Sequence, residues 1–165
     1  MTIRLCLLLS ISVIASCDRH EPEYKPASTS IEDPFAKVMM NPNWKRLEER
    51  FGVPMPAELK AFYGDPAKVL QENFDIKTVK SIERDYRVHV ETFTPIGEAD
   101  DVPIPGNESF LQIASDGGGG AYQFDPKESA PEVIYHFVDG DDSYPTGLSL
   151  SQFLNAPRLK PEELE

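Results

Sequence analysis

Apolar residues recur along this chain in two rhythms, first with the spacing of helices and then with the alternation of strands. Trp44, Leu47 and Phe51 stand at i, i+3 and i+7, with Asn43 ahead of them as an N-cap and Gly52 closing the pattern. Pro54 to Pro56 reads as a hinge, with Pro56 suited to the first position of a second helix. That helix places Leu59, Phe62 and Tyr63 on one side, turns Glu58 and Lys60 outward, and stops near Gly64. A third short helix is predicted from Ala67 to Asn73, offering Val69, Leu70 and Phe74 for burial.

The rhythm changes at Tyr86. From there to Phe93 the residues alternate as a strand does, with Tyr86, Val88, Val90 and Thr92 on one face. Pro95 to Glu108 is a loop rich in Pro, Gly and acid, and Ser109 to Ala114 is a second strand. Asp116 and the four glycines after it form a turn, because glycine reaches positive φ without steric cost. Ala121 to Asp125 returns as the other arm of a hairpin, and Val133 to Val138 is a further strand entering an acidic turn at Asp139 to Asp142. Leu148 to Asn155 reads as a closing helix, capped by Ser149 or Ser151, with Leu150, Phe153 and Leu154 inward. Pro157 ends it, and the charged tail to Glu165 is expected to be loose. The sum is an α+β domain, helices packed on one face of an antiparallel sheet.

The first residues belong to a different physical class. Arg4 precedes an uncharged run of twelve residues, Leu5 to Ser16, which has the form of an export signal. A permanent membrane span needs roughly 20 apolar residues, so the run is too short for one. It ends in Ile14, Ala15, Ser16 and Cys17, which resembles the bacterial lipobox: an aliphatic residue, two small ones, then the cysteine that receives lipid. Residues 1–16 are therefore read as a lipoprotein signal peptide and Cys17 as the lipidation site. Residues 17–33, with Pro22, Pro26 and scattered charges, have too little apolar content to offset ordering entropy and are read as a flexible tether. Residues 34–165 then form one domain of ordinary size. These readings place the protein in the bacterial cell envelope, anchored to a membrane and facing the periplasm.

Charge narrows the partners. The chain carries −12, and loss of Arg4 with the signal leaves −13. Nucleic acid is disfavoured as a ligand, because neutralising phosphates requires Lys and Arg. Such a charge also repels anionic lipid, so the anchor rather than a basic patch is expected to hold the protein to the membrane. Two acidic loops, Glu98, Asp100 and Asp101 in one and Asp139, Asp141 and Asp142 in the other, are the candidate partner-binding residues, since an acidic face speeds encounter with a basic protein.

No motif for catalysis emerges. The tetraglycine lacks the Lys-Ser or Lys-Thr of a phosphate loop and opens no helix. Asp139, Asp141 and Asp142 lack the further oxygen ligands that calcium needs. His89-Val90-Glu91 matches one piece of the zinc deaminase signature, but no cysteine follows Cys17. His89 is read as an outward strand residue, and His136, flanked by Tyr135 and Phe137, likewise. There is no G-x-S-x-G elbow, and carboxylates are too abundant to single out a glycosidase pair. No catalytic residue, metal or cofactor is expected; a binding module is.

Four segments, in order, resemble the SMI1/KNR4 (SUKH) superfamily. Trp44 to Tyr63 is similar to its opening, a helix leading to "Leu-Pro" and a second helix ending in an aromatic pair, here Phe62 and Tyr63. Phe110 to Asp125 is similar to its Asp-Gly hairpin, Pro131 to Gly140 to its next strand, and Ser149 to Leu154 to its closing helix. Met55 before Pro56, and Gly64-Asp65 after the second helix, depart from the common pattern. The resemblance implies an α+β fold and, in bacteria, a protein that binds and neutralises a secreted toxin. It implies no catalytic residues, and toxin-binding residues differ from pair to pair. A scaffold lipoprotein binding some other protein is the alternative. Cys17→Ser is expected to abolish lipid labelling and to release the protein from the membrane fraction; a variant as membrane-bound as wild type contradicts the lipobox reading.

Overall fold

A computed structural model describes residues 34–77, 87–97, 106–137 and 142–159. Helix α1 (Pro34–Met39) buries Ala36 and Met39. Helix α2 (Trp44–Phe51) starts where the sequence predicts: the Asn43 side chain accepts from the Arg46 N–H, and Gly52 ends the helix in the left-handed region at φ 73°. Helix α3 (Ala57–Tyr63) begins one residue later than expected, with Pro56 as its N-cap rather than its first residue, at an extended ψ of 136°. The Glu48 carboxylate ties the two helices, accepting from the Met55 N–H at 3.0 Å and from Lys60 Nζ at 2.7 Å.

The third predicted helix is largely replaced by a strand. Helix α4 (Pro66–Val69), capped by Asp65, is only four residues long. Asn73, at φ 51°, then turns the chain into strand β1 (Phe74–Lys77). The long strand expected from Tyr86 to Phe93 is broken at Glu91 into β2 (Arg87–Val90) and β3 (Thr92–Phe93), which join different sheets. Glu91 holds both sides, its carbonyl accepting from the Asn73 N–H at 2.8 Å and its N–H donating to the Ser115 carbonyl at 2.9 Å.

Strands β4 (Leu111–Ser115) and β5 (Gly120–Phe124) form the expected hairpin, and β6 (Glu132–Phe137) pairs beside it. Strand β7 (Ser143–Ser149) was not predicted; Pro145 and Gly147 break its strand composition. It tolerates them because it is an edge strand with a bulge opposite Val133 and Ile134. There the Thr146 hydroxyl donates to the Val133 carbonyl at 2.6 Å, and the Gly147 N–H to Glu132 Oε1 at 2.9 Å. Helix α5 (Leu150–Asn155) starts with a reciprocal capping box between Ser149 and Gln152. The tail begins as a short strand, β8 (Arg158–Leu159), paired with β1, which corrects the expectation of a loose end from Pro157 onward. Residues 160–165 lie outside the described set.

The result is a three-stranded antiparallel sheet, β2-β1-β8, and a five-stranded one, β3-β4-β5-β6-β7, with helices over a common core. Phe93, fully buried, is where the parts meet. Its ring lies 4.6 Å from Phe62 of α3, 5.9 Å from Phe74 of β1 and 6.4 Å from Phe153 of α5. The Arg158 guanidinium of β8 stacks over Phe74, Phe93 and Phe62 at 4.5, 5.2 and 5.5 Å, and donates to the Lys68 carbonyl and the Gln71 side chain. Tyr63 adds a bond from α3 to the sheet, its hydroxyl donating to the Thr94 carbonyl at 2.6 Å. Phe93→Ala removes the contact shared by both sheets and is expected to cost about 3–5 kcal/mol, read by equilibrium urea unfolding; a loss under about 1 kcal/mol contradicts this packing account.

Candidate functional site

The strand register gives the five-stranded sheet two distinct ends. At one end the β4–β5 turn adjoins the β6–β7 hairpin, since Gly120 pairs with Phe137. At the other, the chain leaves β3 through Thr94, whose N–H donates to Ile113, and runs past Ile96 to Gly97, which abuts the Asn43 backbone. The two acidic loops therefore spring from opposite ends: residues 98–105 from the Gly97 end, residues 138–141 from the Phe137 end. Of the residues singled out in the sequence, Cys17, Glu98, Asp100, Asp101, Asp139 and Asp141 lie outside the described residues. Asp142 is described: it is exposed, and its carbonyl accepts from the Phe137 N–H at 3.2 Å.

The hairpin end carries a surface that the sequence reading missed. Tyr122, Tyr135 and Tyr144 stand in one cross-strand row, and Phe137 follows Tyr135 two residues on, so all four share one face of the sheet. Phe153 of α5 covers Tyr122, at 5.3 Å between ring centroids. Beyond it the face opens, with Phe137 39% and Tyr144 42% exposed beside Asp142. Aromatic residues such as these are enriched at protein interfaces relative to the rest of a protein surface. The signal that could have found them was Tyr144, the one large apolar residue in the stretch left unassigned between the acidic turn and the last helix.

A carboxylate rigidifies this end from below. Asp116 Oδ1 accepts from the N–H groups of Gly118 at 2.8 Å and Gly120 at 2.7 Å, and Oδ2 accepts from the Tyr135 hydroxyl at 2.7 Å. The backbone donors that a phosphate would need are thus filled by the protein's own acid, and the glycines act as a turn. Gly117 and Gly119 have φ of 71° and 98°, which glycine adopts freely. Gly120 is required for space, because a Cβ there would overlap the Tyr135 ring.

The neighbouring histidines take different roles. His89 is exposed, as expected, and its Nδ1 lies 2.8 Å from Oδ1 of the buried Asp75, with Arg87 at 3.8 Å from the other oxygen. Its carbonyl accepts from the Tyr122 hydroxyl at 2.6 Å, so the two sheets are bonded here as well. Burial, then the charges of Asp116 and Asp75, push the Tyr122 phenol up, and it remains a donor. His136 departs from the expectation of an outward residue. It is buried, 2.9 Å from Ser143 Oγ, because its register with Ala121 sets it on the opposite face from Tyr135 and Phe137. Among the described residues, no three His, Cys, Asp or Glu side chains gather as metal ligands, and no helix is long and apolar enough to cross a membrane.

Burial raises the Asp116 carboxyl, but Tyr135 and the Gly120 and Gly118 N–H groups outweigh it and leave the group below its ordinary value of 3.8. A depressed folded value means stability present above pH 3.8 and lost as pH falls through the lower folded value. The stability gap between wild type and Asp116→Asn is expected to be widest near neutral pH and to narrow in acid. Gly120→Ala is expected to lower the melting temperature, whereas Gly118→Ala, whose new Cβ meets nothing closer than 3.7 Å, leaves it nearly unchanged. Equal melting temperatures for the two glycine variants contradict this geometry.

Comparison with known proteins bears on the whole chain. No curated relative and no solved structure matched it. A family model does match, over residues 43–156, from the N-cap of α2 to the residue after α5. That span includes the Asp116 turn and the exposed Phe137 and Tyr144, and the α+β architecture with antiparallel sheets agrees with it. The chain belongs to the SMI1/KNR4 family (SUKH-1), whose domains include immunity proteins of toxin systems.

Proposed function

We propose that this chain is an envelope-tethered immunity protein that binds and neutralises a secreted bacterial toxin. The observation that carries the reading is the family match over residues 43–156, a span that ends its five-stranded sheet in an exposed aromatic pair beside an acidic hairpin. Aromatic anchors supply burial at a protein interface, and acids around them steer a basic partner toward it. Of the two acidic loops, the one holding Asp139, Asp141 and Asp142 adjoins Phe137 and Tyr144, so it is the one assigned to the toxin.

Location selects the kind of toxin. Export, followed by acylation at Cys17 and the tether of residues 17–33, places the domain outside the cytoplasm, facing the periplasm. A nuclease acts where nucleic acid is, out of reach of such a protein. The toxin is therefore one that attacks peptidoglycan, lipid or the membrane itself. Neutralisation needs only occlusion of the toxin, with no chemistry and no cofactor on this side of the complex.

The partner is to be found by pull-down with the soluble domain, residues 34–165, from the secreted fraction of the producing organism, and its toxicity tested with and without the domain. Changing Asp139, Asp141 and Asp142 to Asn together is expected to slow association and flatten its dependence on ionic strength, with the fold intact. Tyr144→Ser is expected to weaken binding mainly through faster dissociation. An unaltered rate and salt slope in the first variant assigns recognition to another surface; a captured partner without toxicity overturns the immunity reading.

A further inference from the structure

Three of the four glycines at the tip of the β4–β5 hairpin are required by the fold itself. Gly117 and Gly119 hold φ of 71° and 98°, in the region that side chains disfavour. A Cβ on Gly117 would also overlap the Glu91 carboxylate, as one on Gly120 would overlap the Tyr135 ring. Gly118 has neither reason. Its φ lies outside the left-handed region, and a Cβ on it would meet nothing nearer than 3.7 Å, the Asp116 carboxylate at ordinary contact distance. A glycine at such a place weakens the fold, because it adds freedom to the unfolded chain that folding must then remove. Its use is to be sought outside the chain.

The tip is held in place. Asp116 accepts from the Gly118 N–H at 2.8 Å and, with its other oxygen, from the Tyr135 hydroxyl at 2.7 Å. One carboxylate thus ties Gly118 to β6, the strand that carries Phe137, and Gly120 pairs with Phe137 across the ladder. Gly117, Gly118 and Gly119 are all exposed, and Phe137 is 39% exposed. The hairpin end therefore presents a fixed strip of bare main chain beside an accessible phenyl ring. Another backbone can approach such a strip to contact distance, which a side chain at residue 118 would prevent. A loop or extended segment of a protein fits it, its N–H and C=O groups facing those of the turn and its apolar side chains meeting Phe137.

We propose that Gly118 is a specificity-determining position of the toxin-binding surface, where main chain of the toxin packs directly against the hairpin tip. What Gly118 contributes is the absence of a side chain. The inference rests on the immunity reading above and deepens it. It extends the assigned surface from Phe137 onto the glycine tip, and it gives that surface a contact of backbone on backbone beside the charges of the acidic loop.

The test uses the full chain and the toxin captured from the producer's secreted fraction. Interface centres are packed as tightly as protein interiors, so Gly118→Gln is expected to weaken toxin binding about 10- to 100-fold and Gly118→Ala by less. Cells protected by the wild-type chain are expected to lose protection with Gly118→Gln. Both variants are expected to melt no lower than wild type. Ser129→Gln, which adds bulk to the exposed turn at the other end of the sheet, is expected to bind and protect as wild type does. Wild-type affinity in Gly118→Gln overturns the contact and leaves the immunity reading standing. A lowered melting temperature in Gly118→Ala also overturns it, by showing that the fold itself needs this glycine. A captured partner without toxicity overturns both the contact and the immunity reading.

Discussion

The fold depends on the burial of one ring, Phe93, in a strand of only two residues. Two sheets that share no ladder must still enclose one core, and the chain passes between them at Glu91. The residue after next then packs against α3, β1 and α5 at once, and the last strand covers it with an arginine. The Arg158 guanidinium is suited to that position because its face stacks on rings while its edge reaches the Lys68 carbonyl. Burial lowers its basicity, which the charge of Asp65 partly offsets, and rings and neutral acceptors surround the guanidinium.

The same join rigidifies the end of the sheet where binding is assigned. Tyr122 reaches from β5 to the His89 carbonyl of the other sheet, and Tyr135 reaches from β6 to Asp116 in the turn. Phe137 and Tyr144 are therefore displayed on strands fixed from two directions, which lowers the ordering cost of an interface.

How far the sequence could be read follows from how local each signal is. The α2 and α5 caps, the α3 stripe and the Asp116 hairpin are written within a few residues each, and they were read with small errors at their ends. The failures needed non-local information. Phe74 to Lys77 is a strand only because β2 and β8 flank it, and Asp75 is buried there only because His89 and Arg87 face it. Strand β7 hid behind Pro145 and Gly147, tolerable at an edge with a bulge. The break at Glu91 falls inside a pattern of unbroken alternation, and α1 is too short to declare itself by period. Of the candidate site, the acids could be listed from the sequence, but not that their loops spring from opposite ends of the sheet. The aromatic pair went unseen because exposure is a property of packing.

Site-specific photocrosslinking tests the central proposal, that the hairpin end of the domain, with Phe137 and Tyr144, is the surface that meets the toxin. A benzophenone side chain placed at Tyr144, and separately at Phe35, would be activated in producing cells exposed to the secreted toxin. The account predicts toxin adducts from Tyr144 and none from Phe35. Toxin adducts from Phe35 with none from Tyr144 would contradict it.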